Sequence, residues 1–309
     1  MKQQLIGLVC TLLYVIISSG QGVFVGNFSQ HISPTTLCFW CFLIVIPACF
    51  YLTYRNKQFN FKLIKKNLGT VLILNVSTAG AWLGFFVAVE FIEPAIAAII
   101  VGVIGPAMVS FISPIVRPGT SILKTEKFSA FCFFAIFLYI LYIIFTQKSA
   151  VQVSSISYSI LGIAAALISS LSLAVLTIYS KKLADKKVTV LQSLSFRFFI
   201  LWMLSFVLMP HSNFHLLANT HVMINIIIFA LIGCLLPVYL VQVGISLLEP
   251  IVVSFLFALE AAFTLFLQAF DHRLITSSYS ITIVFITTVL SIFAIVSRLR
   301  YQQKELIFE

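Results

Sequence analysis

Two charged side chains lie deep inside long apolar stretches of the sequence. Glu260 is ten residues into the stretch 250–270, and Arg197 is eight residues into the stretch 189–209. At 1.5 Å per residue of α-helix, they are roughly 15 Å and 12 Å deep, near the middle of a hydrocarbon core about 30 Å thick. A charge there costs at least about 2.5–3.5 kcal/mol and normally serves a function. Glu260 and Arg197 are therefore predicted to lie in a substrate pathway.

The types of these two side chains allow three chemistries. Buried charges usually pair, so the first is a structural ion pair. A guanidinium binds a carboxylate and a carboxylate binds an ammonium, so together they would suit an amino-acid zwitterion. Because burial disfavours the ionised form of a carboxyl group, Glu260 could instead carry a proton. The sequence does not decide between these three roles: the ion pair, the binding of a zwitterion and the transfer of a proton.

Four further side chains inside apolar stretches have large polar or aromatic tips, which need a partner or a cavity. These are predicted to line the same pathway: Gln21, Trp82, Tyr239 and Gln242. Smaller polar residues in the stretches, such as Ser18, Asn75 and Ser169, are weaker candidates, because small residues also let helices pack closely.

The composition decides what surrounds these residues. Of the 309 residues, 61% are hydrophobic and 9% are charged, and the mean hydropathy is +1.11. Soluble domains are roughly 45–50% apolar and about 25% charged. In lipid, every backbone polar group must be bonded internally, so only helices and closed barrels span it. The apolar stretches lack the alternation of barrel strands. We therefore expect an all-α integral membrane protein.

Ten stretches have about the 20 apolar residues that a transmembrane helix needs. They are 5–26, 34–54, 68–89, 94–116, 128–147, 156–179, 189–209, 221–244, 250–270 and 278–299. All but three of the 19 Lys and Arg residues lie in connections on one side of these spans; the exceptions are Lys148, Arg197 and Arg273. The positive-inside rule then predicts that both termini are cytoplasmic. The net charge of +10 reflects this topology and anionic lipid headgroups, so no nucleic-acid partner is expected.

A short phrase occurs twice in the sequence. Glu93-Pro94 and Glu249-Pro250 each follow one apolar stretch and open the next, and they are 156 residues apart. Such internal similarity is typical of membrane transporters built from two repeats. The residues predicted to form hinges or turns of the repeats are Glu93, Pro94, Gly105, Pro106, Glu249 and Pro250.

The duplicated phrase predicts two halves, residues 1–148 and 149–309, with five spans each. Because five is an odd number, the second half must enter the membrane in the opposite orientation. The fold class predicted is therefore ten transmembrane helices arranged as a 5+5 inverted repeat. Inverted repeats provide two related arrangements, one open to each side of the membrane.

The first twenty residues have the pattern of a signal peptide, since Lys2 precedes an apolar stretch that ends in Ser18-Ser19-Gly20. Because apolar character resumes through Val25, we expect a first transmembrane helix that is retained. All Cys residues lie in apolar stretches and are predicted to be small buried hydrophobic groups, not disulfides. They are Cys10, Cys38, Cys41, Cys49, Cys132 and Cys234.

No metal site or cofactor is predicted. His211 and His215 have metal-like spacing, but they fall in a connection with no further run of ligands, where a solvated loop is expected. No nucleotide-binding loop of the Walker type is present, so pumping driven by ATP is not expected.

The chain resembles the EamA-type ten-helix branch of the drug/metabolite transporter superfamily. In the first half the resemblance lies in Ala88-x5-Pro94-Ala95-x-Ala97-Ala98 and Gly105-Pro106. In the second half it lies in Gly244-x5-Pro250, Leu259-Glu260 and Phe196-Arg197, and the sixth span ends in the similar Tyr179-Ser180-Lys181-Lys182. It covers nearly the whole chain and departs from the family's pattern at Ala261, where a proline is expected, and at Trp40, where an arginine is frequent.

The resemblance implies a secondary transporter of small organic metabolites in the inner membrane of a bacterium. It also implies a central cavity lined mainly by the first, third, fourth, sixth, eighth and ninth helices. Export of amino acids or related compounds is the first expectation, with protons as a possible coupling ion and a monomer or homodimer as the assembly. The alternative is uptake of a host metabolite, such as a nucleotide-derived cofactor, by an intracellular bacterium. A membrane enzyme or a non-transporting membrane partner is the alternative of another class.

Overall fold

A computed structural model describes residues 2–28, 32–145, 156–210, 220–270 and 278–308. Across these residues the secondary structure is helical. The helices are α1 Lys2–Phe28, α2 Pro34–Arg55, α3 Phe61–Lys66, α4 Leu68–Phe91, α5 Pro94–Val116, α6 Lys124–Phe145, α7 Ile156–Asp185, α8 Val190–Ser195, α9 Phe199–Leu208, α10 Thr220–Ile228, a π-helical segment Phe229–Leu235, α11 Leu236–Leu247, α12 Pro250–Ala258, α13 Glu260–Gln268 and α14 Ser278–Phe308.

In the described part of the chain, 10 helical segments are long and apolar enough to cross a membrane. The prediction of a helical, multi-pass membrane protein is confirmed at this level. Large apolar side chains point outward from the bundle, for example Phe131 on α6, Val207 on α9 and Phe285 on α14, which are 73%, 72% and 67% exposed. Such surface is compatible with lipid, where apolar exposure carries no hydration cost.

Proline fixes where several helices begin. Pro34, Pro94 and Pro250 are the first residues of α2, α5 and α12, where a backbone N–H would have no helical partner in any case. The Ser33 hydroxyl also accepts a hydrogen bond of 3.3 Å from the Thr36 amide and so caps α2. The predicted starts of these three spans therefore agree with the structure.

Two predicted spans are interrupted, which the sequence did not indicate. The seventh span is divided into α8 and α9, and the ninth into α12 and α13. Interruptions of this kind leave backbone groups without helical partners, and other helices must satisfy them. The eighth span is helical throughout but changes to π-helical hydrogen bonding between α10 and α11.

The centre of the bundle is formed by α5 and α12, which are mostly buried. They are in close contact where Gly102 faces Ala258: a Cβ atom on Gly102 would lie 2.7 Å from the Ala258 Cα. Around this pair, α4 packs along α7 and α1 packs along α11, while α6 and α14 lie on the outside against α5 and α12. Helix α1 also contacts α13, so the first apolar stretch is part of the packed bundle.

Candidate functional site

The ninth span breaks immediately before Glu260. The Leu259 amide donates to Leu256 O and the Ala262 amide donates to Leu259 O, both at 3.0 Å, so the chain tightens into a turn of the 3₁₀ type. From α1, the Ser19 hydroxyl lies 3.1 Å from the carbonyl oxygen of Glu260. The interruption forms although Ala261 stands where the resembled family has proline; the Ser19 hydroxyl, which donates to Val15 O at 2.7 Å, also reaches the first carbonyl of α13.

The side chain of Glu260 is buried, with only 7% of the residue exposed. Its Oε1 accepts a hydrogen bond of 2.7 Å from the hydroxyl of Ser18 on α1. Glu260 is also the first residue of α13, where the unpaired amides of a helix start favour a negative charge. Two features of this chain thus stabilise a carboxylate in the apolar interior.

Glu260 lines a cavity of about 60 Å³ between α1, α4, α5, α7 and α13. The lining residues are Tyr14, Ser18, Gln21, Ala81, Trp82, Phe85, Phe86, Ala98, Val101, Ser169, Leu173 and Glu260. At about 15 Å³ for each water molecule, this space holds a few waters, whereas sites for organic ligands measure about 300–1,000 Å³. Binding an organic metabolite therefore requires these helices to separate.

Three of the predicted pathway residues come together in this cavity: Glu260, Gln21 and Trp82. The Gln21 amide nitrogen lies 3.9 Å from the Cys234 sulfur. The Trp82 ring contacts Phe42 and Phe86 edge-on, with ring centroids 5.0 Å and 5.5 Å apart. Trp82 is thus fixed by aromatic packing.

Arg197 lies in the break between α8 and α9 and does not line the cavity. It is 3% exposed, and its Nη1 donates a hydrogen bond of 2.8 Å to Gln242 Oε1. Gln242 in turn lies 3.4 Å from the hydroxyl of Ser193. The guanidinium also lies 5.1 Å from the centre of the Phe198 ring. Arg197 and Gln242, both predicted from the sequence, therefore form a second polar cluster.

Arg197 and Glu260 have separate hydrogen-bond partners, Gln242 and Ser18, and form no salt bridge with each other. The two charges thus have different surroundings: Arg197 contacts an amide and a ring, and its Nε is without a hydrogen-bond partner among the described residues, whereas Glu260 contacts a hydroxyl at a helix start. Tyr239 on α11 is 40% exposed and does not line the cavity.

Asn75 of α4 bridges the break in the seventh span, a role that its sequence context did not reveal. Its side-chain nitrogen donates to Phe196 O at 2.6 Å, and its side-chain oxygen accepts from the Ile200 amide at 3.3 Å. These bonds replace those that a continuous helix would make across the break. In the sequence Asn75 is one of several polar residues in an apolar stretch, and nothing local identifies its partner 121 residues away.

The two Glu-Pro pairs begin α5 and α12 at opposite ends of the central pair of helices. Glu93 is fully buried, and its Oε1 accepts a hydrogen bond of 2.6 Å from Gln268 at the end of α13. The oxygen of the Gln268 amide accepts from the backbone of Ala95 at 3.2 Å. Gly105 and Pro106 are buried midway along α5, with Gly105 facing Ser170.

Glu249 begins α12 in a cluster of charged side chains. Its Oε2 accepts a hydrogen bond of 2.8 Å from Nη1 of Arg117, and Nη2 of Arg117 lies 3.0 Å from Asp185. Lys181 donates to Ser246 O at 2.9 Å beside this cluster. Burial by itself lowers the pKa of Arg117, but its hydrogen bonds to Glu249 and Asp185 and the charges of both raise that pKa above the ordinary value. Arg117 is therefore a permanent cation.

All six cysteines are free, and Cys38, Cys41, Cys49 and Cys234 are buried. Among the described residues, no group of three or more His, Cys, Asp or Glu side chains is arranged to hold a metal ion. His211 and His215 lie outside the described residues, as do Lys148 and Arg273.

No protein-family model matches the chain, and no curated protein matches its sequence. Its fold is similar to that of solved structures. One of them, titled "Crystal structure of protein", is 13% identical to this chain and has a TM-score of 0.63 over 94% of this chain and 96% of the other. At that identity the likeness shows a shared fold alone.

Proposed function

We propose that this protein is a secondary transporter that moves small organic metabolites across a membrane by alternating access. The observation that carries the proposal is the buried carboxylate of Glu260, which lines a cavity at a break in a membrane-spanning helix. Discontinuous helices that present charged groups near the middle of the bilayer are typical of substrate and ion sites in secondary transporters. The resemblance to the EamA-type drug/metabolite transporters supports the same function.

We further propose that the ten spans form two inverted repeats, residues 1–148 and 149–309. Two pairs of contacts support this. The first span packs on the eighth as α1 on α11, and the sixth packs on the third as α7 on α4. A shift of five spans converts one pair into the other: the first span corresponds to the sixth, and the eighth to the third.

The same shift relates individual residues in these contacts. Gly7 on the first span faces Leu248, which directly precedes Glu249, and Gly162 on the sixth faces Ile92, which directly precedes Glu93. In both cases a Cβ on the glycine would lie 2.8 Å from the apolar side chain. Both contacts join one half to the other, and exchanging the two halves turns each contact into its counterpart, as two inverted repeats would produce.

The proposed location is the inner membrane of a bacterium, with both termini in the cytoplasm. The charge distribution supports this orientation, since most Lys and Arg residues lie in connections on one side. In this orientation the cluster of Arg117, Asp185 and Glu249 faces the cytoplasm. The contact between Glu93 and Gln268 then lies at the outer face.

The test is counterflow in liposomes that contain only this protein. Liposomes loaded with unlabelled amino acids and amines should accumulate the labelled compounds that the protein carries. Glu260→Gln should reduce the initial rate by about tenfold or more, since it removes a charge-assisted contact of roughly 1.5–3 kcal/mol. Glu90→Gln is the matched control, because Glu90 is exposed at the end of α4 and does not line the cavity.

Folded protein that carries none of these compounds would contradict the proposal. Chemical turnover of a lipid or peptide without flux would favour a membrane enzyme instead. Equal rates for the two Gln variants would remove the role assigned to Glu260.

A further inference from the structure

We propose that the Glu260 cavity selects small organic cations, with the positive group held between the Glu260 carboxylate and an aromatic wall. This inference rests on the proposed function in one respect: the cavity is taken as the place where the substrate binds, after the helices around it separate to admit the ligand. The observations behind it are the charges, the hydrogen-bond donors and the rings that face the cavity.

The charge of the lining has one sign. Glu260 is the acidic residue of the lining, and Lys, Arg and His are absent among the described residues that form it. Arg197 is engaged with Gln242 outside the lining. A zwitterion would need a cationic partner for its carboxylate, and the cavity as built offers none. A ligand with one positive charge leaves no charge uncompensated.

Several polar groups of the lining use their donors within the protein. The hydroxyl of Ser18 donates to Glu260 Oε1 at 2.7 Å, and the hydroxyl of Ser169 donates to Ala81 O at 2.8 Å. The amide nitrogen of Gln21 lies 3.9 Å from the sulfur of Cys234. The other donors of the lining are the Tyr14 hydroxyl and the Trp82 indole N–H, both on neutral side chains. The charged acceptor is Glu260, which suits an ammonium, a group that only donates.

Four aromatic side chains also form part of the lining. Tyr14, Trp82, Phe85 and Phe86 line the cavity with Glu260. The faces of such rings attract cations, and tryptophan does so most strongly. The edge-on contacts of Trp82 with Phe42 and Phe86 hold its ring before a ligand arrives. Pre-positioned rings avoid the entropy cost of ordering side chains on binding.

The carboxylate is also held in place. The Ser18 hydroxyl donates to Oε1, and the Ser19 hydroxyl, which donates to Val15 O at 2.7 Å, also lies 3.1 Å from the backbone oxygen of Glu260. The hydrogen bonds among the described residues therefore fix Glu260 through one carboxylate oxygen. The second oxygen, Oε2, is left for the positive group of a ligand.

The test uses three probes of nearly equal shape and different charge: choline, a cation; glycine betaine, a zwitterion; and 3,3-dimethylbutan-1-ol, the neutral isostere of choline. Binding is measured by calorimetry on the purified full-length protein in detergent. Choline should bind about tenfold or more tightly than either of the others, as expected when one charge-assisted contact distinguishes two ligands. Choline binding that is no tighter than betaine binding, or that is absent, would overturn the inference.

Two substitutions locate the binding. Glu260→Gln should abolish the preference for choline over its neutral isostere, and Trp82→Leu should weaken choline binding, whereas Trp82→Phe should retain most of it. Glu90→Gln should leave all three affinities unchanged. A thermal unfolding curve shows that each variant is folded. A preference for choline that survives Glu260→Gln in folded protein would contradict the site.

The binding assay and the flux assay separate the two proposals. Selective choline binding without flux of any compound would leave this inference standing and contradict the transporter. Flux of zwitterions or anions without selective choline binding would support the transporter and contradict this inference.

Discussion

The side-chain amide of Gln268 donates a hydrogen bond of 2.6 Å to the carboxylate of Glu93, and this joins the end of α13 to the start of α5. At the other end of the same pair of spans, Arg117 follows α5 and donates to Glu249 before α12 at 2.8 Å. Each Glu-Pro pair therefore holds the far end of the partner span. The two contacts differ in kind, one an amide and the other an ion pair, so the two ends should respond differently to substitution.

Substituting Arg117 tests the charged end. Arg117→Ala leaves the carboxylates of Glu249 and Asp185 without their cation, and Arg117 and Glu249 have side chains only 15% and 27% exposed. The loss should be about 1–3 kcal/mol in the free energy of unfolding, between the values for surface and buried pairs. The measurement is unfolding of the purified protein in detergent. Arg55→Ala at an exposed helix end is the control and should cost less than about 0.5 kcal/mol.

The contribution of Arg117 to the free energy of unfolding should be independent of pH across the neutral range. Its folded-state pKa is raised above the ordinary value, so its stabilisation is complete below the unfolded-state pKa and is lost only as pH rises through the folded-state one. Both lie far above neutrality. The difference in unfolding free energy between wild type and Arg117→Ala should therefore stay constant from about pH 7 to pH 9. A decline within this interval would show that the guanidinium is not the group responsible.

Asn75→Ala tests the bridge across the seventh span. It removes the partners of Phe196 O and the Ile200 amide, and each unsatisfied buried group costs about 1–3 kcal/mol. A loss of about 2–4 kcal/mol in unfolding free energy is expected. Asn56→Ala is the matched control, since Asn56 is exposed and bonds only within its own helix end. Equal losses for the two variants would mean that Asn75 does not hold the break.

Gly102→Ala tests the crossing of α5 and α12. The added methyl would lie 2.7 Å from the Ala258 Cα, so the two backbones must move apart. Overpacking of this kind costs typically about 1–3 kcal/mol. Gly69→Ala in α4 is the control, since a Cβ added at Gly69 would have no neighbouring heavy atom within 4 Å. This variant should be as stable as the wild type or more stable by up to about 1 kcal/mol, because alanine favours helix. The difference between the thermal unfolding midpoints of the two variants measures how much stability depends on the close contact between α5 and α12.

Reporter fusions test the proposed inverted repeat. A reporter that is active only in the cytoplasm should be active when fused before Met1 and also when fused after Glu309. A fusion after residue 148, between the two halves, should report the opposite face. Termini on opposite faces would contradict two repeats of five spans each.

The sequence predicted the parts of the fold that local chemistry decides. The starts at Pro94 and Pro250 follow from the missing proline N–H, and the spans follow from composition. The break at Leu259 was not predictable in this way, because leucine favours helix and the side chain that contacts the start of α13, Ser19, is far away in the chain.

The direction in which each side chain points, toward the interior or toward the outside of the bundle, was the least predictable feature of the site. A helix that is apolar on every side has no polar face to orient it, so periodicity could not show that Tyr239 points outward while Gln242 points inward. Gln21, Trp82 and Glu260 do meet in one cavity. That Arg197 bonds to Gln242 instead of Glu260 depends on how the seventh and eighth spans pack, which no local pattern records.

The crossing of α5 and α12 has a mechanical consequence. Gly102 is eight residues after Pro94, and Ala258 is eight residues after Pro250, so the fourth and ninth spans touch at the same distance from their starts. In the ninth span this point is also where α12 ends. The contact is therefore a pivot placed at a joint: α13 can change its angle to α12 at one face of the bundle while α12 stays packed on α5.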